Sequence, residues 1–129
     1  MKLLLASILL VCAPAATAPL AKQHVGPNIP VVSCPTGSTM DQDCLRDKTA
    51  TLIRTVNSLN QELTNKMVDL AAVATAMIAN CNGDATCEQN VNDAYVTLAL
   101  QHTNDHTRRV KIAEDTFVAG VLRDCCKEN

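Results

Sequence analysis

Aromatic side chains are almost missing from this chain of 129 residues, which has no tryptophan, one tyrosine and one phenylalanine. Its core must therefore be built from aliphatic side chains and alanine, a composition that suits closely packed helices. An excess of basic residues is missing too, since the formal net charge is −2. Without a basic patch or an aromatic stacking platform, nucleic-acid binding is not expected.

Recognisable catalytic and metal-binding motifs are also missing. No serine stands in a Gly-x-Ser-x-Gly motif, and the chain has no His-Glu-x-x-His motif and no phosphate-binding glycine loop. No Cys-x-x-Cys pair is present, which argues against a zinc–thiolate site. The sequence therefore predicts a protein that is not an enzyme and that has no cofactor.

Residues 1–15 have the features of a secretory signal peptide. Lys2 supplies a positive charge before a short apolar core, and Ala13 and Ala15 fit a small-x-small cleavage site. Cleavage as late as residue 18 is the alternative. The apolar core is about half the ~20 residues that a membrane-spanning helix needs, so no transmembrane segment is predicted. The protein is expected to be secreted and extracellular.

Proline is confined to the N-terminal part of the chain, and none follows Pro35. Residues 16–38 contain four of the five prolines. Because proline lacks the amide donor that a helix needs, this segment is predicted to be an extended tail. The chain after it is free to form long helices.

Cysteine, in contrast, is abundant, and its spacing predicts the fold. Removal of the signal peptide leaves six cysteines, an even number typical of a disulfide framework in a secreted protein. Cys44 and Cys81 have 36 residues between them. Cys87 and Cys125 have 37 between them, and neither arm contains proline. Two arms of nearly equal length predict an all-α domain over residues 39–126, an antiparallel helical hairpin with disulfides at its turn and at its open end.

The helix boundaries follow from capping residues and from the apolar spacing. Helix one is predicted over about residues 39–81, with Ser38 and Asp41 as an approximate capping box and apolar residues at steps of three and four. The sequence Asn82-Gly83-Asp84 predicts the turn. Helix two is predicted over about residues 85–125.

Each arm would be ~60 Å long as a continuous helix, which is unusual for a compact domain. Weak helix formers near residues 57–60 and 103–107 lie at similar depths from the turn. Both arms could therefore bend there and form a four-helix bundle. The absence of proline and glycine at these places favours the two long helices.

The register of the hairpin predicts the disulfide pairs. The cysteines on either side of the turn are expected to bond to each other. The cysteine at the start of helix one is expected to bond to one of the two adjacent cysteines that end helix two, and the cysteine of the tail takes the other. The favoured pairs are Cys81–Cys87, Cys44–Cys125 and Cys34–Cys126. The exchange of Cys125 and Cys126 stays open as an alternative.

Two histidines form the first candidate site. His102 and His106 are one helical turn apart, and the register places Glu62 opposite His106. Two histidines with a carboxylate could ligate zinc or copper, and histidine also titrates near neutral pH. The simpler interpretation, which we adopt, is a polar layer that interrupts the apolar contact between the helices.

An excess of apolar residues near the turn forms the second candidate site. Residues 67–79 include one charged residue in thirteen, and residues 94–100 opposite them are apolar too. One partner helix cannot cover this surface. The excess is predicted to fill a core, to join two copies of the chain as a homodimer, or to bind a hydrophobic ligand or lipid. The residues assigned to this surface are Met67, Leu70, Val73, Met77, Tyr95 and Leu98.

Known secreted families with helical, disulfide-bonded folds provide a comparison. The cysteine gaps do not fit insect odorant-binding proteins or saposins. The stretch from Ala79 to Cys87, with the cysteine near the C-terminus, resembles insect secreted proteins of the TsetseEP type, in which cysteines flank long alanine-rich helices. The resemblance covers about residues 44–126 and implies a secreted helical protein with no established enzymatic activity. Cys34 and the adjacent pair of cysteines at the C-terminus depart from that pattern.

The sequence as a whole predicts a secreted binding protein. The first hypothesis is protein–protein interaction with an extracellular partner, as in an extracellular effector or a reproductive or venom-type factor. The alternative is a carrier of a small hydrophobic ligand or a lipid. An enclosed apolar cavity would favour the carrier, whereas closely packed helices with exposed apolar side chains would favour partner binding.

Overall fold

The computed structural model describes residues 28–129, and the predicted signal peptide and the first part of the predicted tail lie outside the described residues. Strand β1 (Ser38–Met40) is followed by helix α1 (Gln42–Asn80), helix α2 (Ala85–Asp124) and strand β2 (Cys126–Glu128). The two helices have 39 and 40 residues and pack against each other along the molecule. The predicted all-α hairpin of two long helices is confirmed.

Both helices are continuous, so the four-helix bundle that was the alternative does not form. The weak helix formers are accommodated in two ways: threonine hydroxyls of α2 bond to the backbone of their own helix, and residues of α1 pack against α2. The hydroxyl of Thr103 donates to the carbonyl of Ala99, and that of Thr107 donates to the carbonyl of Thr103. In α1, Leu59 and Asn60 are buried against α2, so packing outweighs their weak propensity.

Helix α1 starts three residues after the predicted position, because Ser38 lies in a strand and Asp41 is the capping residue. One carboxylate oxygen of Asp41 accepts hydrogen bonds from the backbone N–H groups of Asp43 and Cys44, each at 3.1 Å. Strand β1 pairs antiparallel with β2, with Met40 opposite Cys126. The C-terminal residues are therefore held by this two-stranded sheet.

The turn is built as the sequence predicts. Asn82 and Gly83 have φ angles of +49° and +85°, in the left-handed region that glycine adopts without a steric penalty. The carboxylate of Asp84 then caps α2 by accepting from the N–H of Cys87 at 3.1 Å.

Three disulfides close the hairpin, and they are the favoured pairs of the two arrangements considered. Cys81–Cys87 spans the turn, while Cys44–Cys125 and Cys34–Cys126 lie at the open end. The choice between the two adjacent cysteines follows from their position. Cys125 ends α2 and is fully buried, whereas Cys126 belongs to β2 and is only partly buried.

The core contains two apolar clusters, one at each end of the hairpin, with buried Leu59, Leu63 and Met67 between them. Each cluster contains one of the two aromatic residues, Phe117 at the open end and Tyr95 near the turn. The buried members of the open-end cluster are Leu52, Val56, Phe117, Val121 and Cys125. Those of the turn cluster are Ala74, Ile78, Cys81, Val91 and Tyr95.

Candidate functional site

A polar layer lies between the two clusters, at the level of the predicted histidines. The ring Nε2 of His106 lies 2.8 Å from the amide oxygen of Asn60, which is buried on α1. Since an amide oxygen only accepts, the ring nitrogen is the donor in this contact. The register prediction had placed Glu62 opposite His106, so the observed partner lies two residues earlier on α1.

Glu62 contacts two cations instead of a histidine. Its carboxylate accepts from Arg109 of α2 at 2.8 Å and lies 3.1 Å from Lys66 of its own helix. These contacts lower the pKa of Glu62 below its usual range, with the Arg109 hydrogen bond as the larger cause. Glu62 and Asp105 line one small cavity in the polar layer. The pKa of Asp105 is lowered as well, because its carboxylate accepts a hydrogen bond from Arg108.

The weak metal candidates His102, His106 and Glu62 do not form a metal site. Over residues 28–129, no group of three or more His, Cys, Asp or Glu side chains could hold a metal ion. The physical reason is that Glu62 is occupied by Lys66 and Arg109, and His106 is held by Asn60. The layer is thus a network of polar and ionic contacts between the helices.

The predicted apolar surface near the turn divides into three groups by burial. Met67 and Tyr95 are buried in the contact between the helices and cannot serve as an exposed surface, which corrects their assignment. Leu70 is partly buried. The other three side chains, Val73, Met77 and Leu98, are exposed to 55%, 50% and 41%.

These three exposed residues share one side of the hairpin. Val73 and Met77 are one helical turn apart, and each directly precedes a buried residue of α1. In an antiparallel pair, Leu98, which directly precedes partly buried Ala99, lies on the same side. We call Val73, Met77 and Leu98 the turn-side apolar patch. By the same periodicity, exposed Val96 and Leu100 lie on the opposite side of α2.

A second site, which sequence reasoning missed, is an open groove of about 600 Å³ between the helices at the open end. Its apolar lining comes from both helices: Leu52, Leu59, Ile112, Ala113, Phe117 and Gly120. Its basic lining residues are Lys48, Arg108, Arg109 and Arg123. We call this the open-end groove. Gly120 is the one signal for this groove in the sequence. A glycine inside a helix and away from a turn suggests that another part of the chain packs closely against the backbone there.

Gly120 creates one end of this groove. The three atoms nearest to a Cβ atom at this position all belong to the side chain of Lys48, with Nζ 3.7 Å away and Cδ and Cε 3.8 Å away. The alkyl chain of Lys48 therefore lies across the bare backbone of α2. Its ammonium group reaches Asp124 at 2.7 Å.

The acidic partners of the basic lining residues are themselves outside the lining of the groove. Asp124 accepts from both Lys48 and Arg123, and these bonds hold its pKa well below the usual range, with Arg123 the larger cause. Arg108 bonds to Asp105, and Arg109 to Glu62. The groove therefore presents cations to its interior.

One buried acid was also missed by sequence reasoning. Glu88, in the first turn of α2, is only 2% exposed, and one of its carboxylate oxygens has no hydrogen-bond partner. The positive end of the helix dipole compensates part of the cost of burying it. Nothing in the sequence distinguishes it from an exposed first-turn glutamate.

Comparisons with protein-family models, with curated proteins and with solved structures find no match to this chain. The resemblance to TsetseEP-type proteins thus stays a prediction from cysteine spacing. Neither helix in residues 28–129 is long and apolar enough to cross a bilayer.

Proposed function

We propose that the protein is secreted and acts by binding an extracellular protein partner through the turn-side apolar patch. The observation that supports this is the exposure of Val73, Met77 and Leu98 on one side of a closely packed hairpin. Side chains of this kind that stay exposed together are typical of interaction surfaces. The Cys81–Cys87 disulfide next to the patch limits the motion of the turn, which lowers the entropy lost on binding.

Secretion is part of the same proposal. Three disulfides are consistent with an oxidising, extracellular compartment, and the N-terminal sequence has the features of a signal peptide. A second copy of this chain is the alternative partner, and the resulting homodimer would bury the same patch.

The test compares two double variants of the secreted protein. Val73→Glu with Met77→Glu places two charges in the turn-side apolar patch, and Val96→Glu with Leu100→Glu places the same charges on the opposite side of the hairpin. Sedimentation velocity of each protein measures self-association. Affinity capture from the extracellular fluid of the organism that makes the protein then measures partner binding. We expect wild type and the opposite-side variant to retain the same partner or dimer, and the patch variant to lose it. Equal retention by all three proteins would contradict the proposal.

The open-end groove favours a second candidate function, a carrier of a small hydrophobic ligand or lipid. Its volume of about 600 Å³ lies within the range of small-molecule sites, roughly 300–1,000 Å³. It is open to solvent, which fits exchange of ligand better than long-term storage. Displacement of a hydrophobic fluorescent probe from the purified protein tests this candidate, and absence of probe uptake would count against it.

A further inference from the structure

We propose that the open-end groove binds a single-chain anionic amphiphile, an aliphatic carboxylate of the fatty-acid class, with its chain along the apolar lining and its carboxylate at the basic rim. The proposal rests on the second candidate function, the carrier, and specifies the chemistry of its ligand. It is independent of the turn-side apolar patch.

The shape of the groove suits an alkyl chain. Its lining on α1 runs from Lys48 to Leu59, a distance of about 16 Å at 1.5 Å per helical residue. Along this length apolar side chains line the groove together with three threonines, Thr51, Thr55 and Thr116. Ile112 is 52% exposed within the groove. A linear chain would cover this side chain and the edge of Phe117, removing apolar surface from water.

The charge of the groove suits a carboxylate. Four cations and no carboxylate line it. At the open end, Lys48 and Arg123 share the single carboxylate of Asp124, so one positive charge is left uncompensated within that group.

At the other end of the groove, Arg108 bonds to Asp105 and Arg109 bonds to Glu62, so the two lining cations are matched by two carboxylates. The excess of positive charge therefore lies at the open end, beside Lys48 and Arg123. It selects against a cationic amphiphile and favours an anionic one.

The ion pairs around the rim do not prevent binding. Arg108 is 64% exposed on its side chain, and it is paired only with an aspartate three residues earlier on its own helix. Exposed pairs of this kind are weak, and their geometry is easily exchanged. A ligand carboxylate can therefore take a hydrogen bond from Arg108 while Asp105 returns to water.

The experiment titrates the secreted, disulfide-bonded protein with sodium dodecanoate below its micelle concentration and follows the backbone amide signals by NMR. Dodecyltrimethylammonium chloride has the same chain and the opposite charge and is titrated in parallel. We expect dodecanoate to shift signals from residues that line the groove, with an affinity at least ~10-fold higher than that of the cationic amphiphile.

Two variants separate the groove from general charge effects. Arg108→Glu reverses a lining charge and is expected to weaken dodecanoate binding ~5-fold or more. Lys111→Glu is the matched control, because Lys111 lies on the same helix, is 68% exposed, is paired with Asp115 and does not line the groove. It makes the same change in net charge and should alter the affinity less than ~2-fold.

Several outcomes would overturn the proposal. These are equal affinity for the two amphiphiles, signal shifts confined to the turn-side apolar patch, no binding at millimolar dodecanoate, or binding only to phosphatidylglycerol vesicles, which would indicate a membrane surface as the ligand. Except for signal shifts at the turn-side apolar patch, these outcomes do not bear on partner binding at Val73 and Met77. Conversely, the variant Val73→Glu with Met77→Glu should keep its affinity for dodecanoate even if it loses a protein partner.

Discussion

At the scale of single residues, Asn60 and His106 are one of the two side-chain pairs described in the polar layer that connect the helices, the other being Glu62 and Arg109. The contact between Asn60 and His106 is 2.8 Å long and buried on the α1 side. A polar pair between two apolar clusters restricts the register of the hairpin, because sliding one helix by a turn would leave a buried amide without a partner.

This contact leads to a prediction about stability. Asn60→Leu alone should destabilise the protein by about 1–3 kcal/mol, because His106 loses an acceptor in a partly buried place. Replacing both residues by leucine should cost clearly less than the sum of the two single changes. Urea unfolding of wild type, the two single variants and the double variant gives the coupling energy. Additive costs would show that the pair does not act as a unit.

Glu62 provides a prediction about pH at the same scale. Its pKa is lowered from the ordinary value of 4.5, mainly by Arg109, so its ionised form stabilises the folded state. That contribution is present above pH 4.5 and is lost as the pH falls through the lowered pKa. Wild type should therefore melt at a higher temperature than Glu62→Gln at pH 6, and the gap should close as the pH falls below 4.5. A gap that stays constant down to pH 2 would contradict the assignment.

At the scale of elements, Asp41 is where three parts of the chain meet. Its carboxylate caps α1 and lies 2.9 Å from Lys127 of β2, and its backbone N–H donates to the carbonyl of Cys125 at 2.8 Å. The start of α1 and the C-terminal strand are thus ordered together.

Substitution of Asp41 tests this role. Asp41→Ala should cost about 1–2 kcal/mol, since two backbone N–H groups lose their acceptor. Asp41→Asn keeps an acceptor oxygen and should cost less. Ser38→Ala is the control, because Ser38 lies in β1 and does not cap the helix; its effect should stay within about 0.5 kcal/mol. Thermal unfolding of the three variants measures these losses of stability. A larger loss of stability for Ser38→Ala than for Asp41→Ala would support the capping box predicted from the sequence.

The elements show which features local sequence can predict. The turn at Gly83 and the cap at Asp84 are local signals, so the ends of the helices that meet there were predicted closely. The β1–β2 pairing was not, because it joins residues about ninety positions apart and each strand has only three residues. Because Ser38 lies in β1, α1 starts at Gln42 and not at residue 39 as predicted.

The candidate sites show the same limit. Periodicity placed Val73 and Met77 near the turn, but it could not separate them from Met67, since exposure depends on how the two helices are rotated against each other. The open-end groove depends on side chains from both helices and on the small size of Gly120. Such a groove can be predicted only when the register of the two helices is known to within one residue.

At the scale of the whole molecule, the disulfides carry a large share of the stability that a two-helix core cannot supply. Cys34–Cys126 and Cys44–Cys125 are nested, so when one is present the other closes an effective loop of only about a dozen residues. Replacing either pair by serine should therefore cost about 3 kcal/mol, and replacing Cys81–Cys87, with its short loop, about 2 kcal/mol.

Loss of both nested pairs should lower the free energy of unfolding more than twice as much as loss of one pair. When one pair is lost, the other bridge still closes a loop of about 80 residues, and removal of that bridge as well frees the whole loop. Guanidinium unfolding of the single-pair and double-pair variants checks this order. A cost for both pairs that equals the sum of the two single-pair costs would show that the two bridges do not share one loop.

We propose that the chain is exported and folds into a hairpin closed by disulfides at both ends. Mass spectrometry of the protein recovered from the medium of cells that express the full chain tests this, with partial reduction to separate the adjacent cysteines Cys125 and Cys126. We expect an N-terminus between residues 16 and 19, the mass for three disulfides, and the pairs Cys81–Cys87, Cys44–Cys125 and Cys34–Cys126. A bridge between Cys81 and Cys125, or a cell-retained chain that keeps Cys12 and reduced thiols, would contradict it.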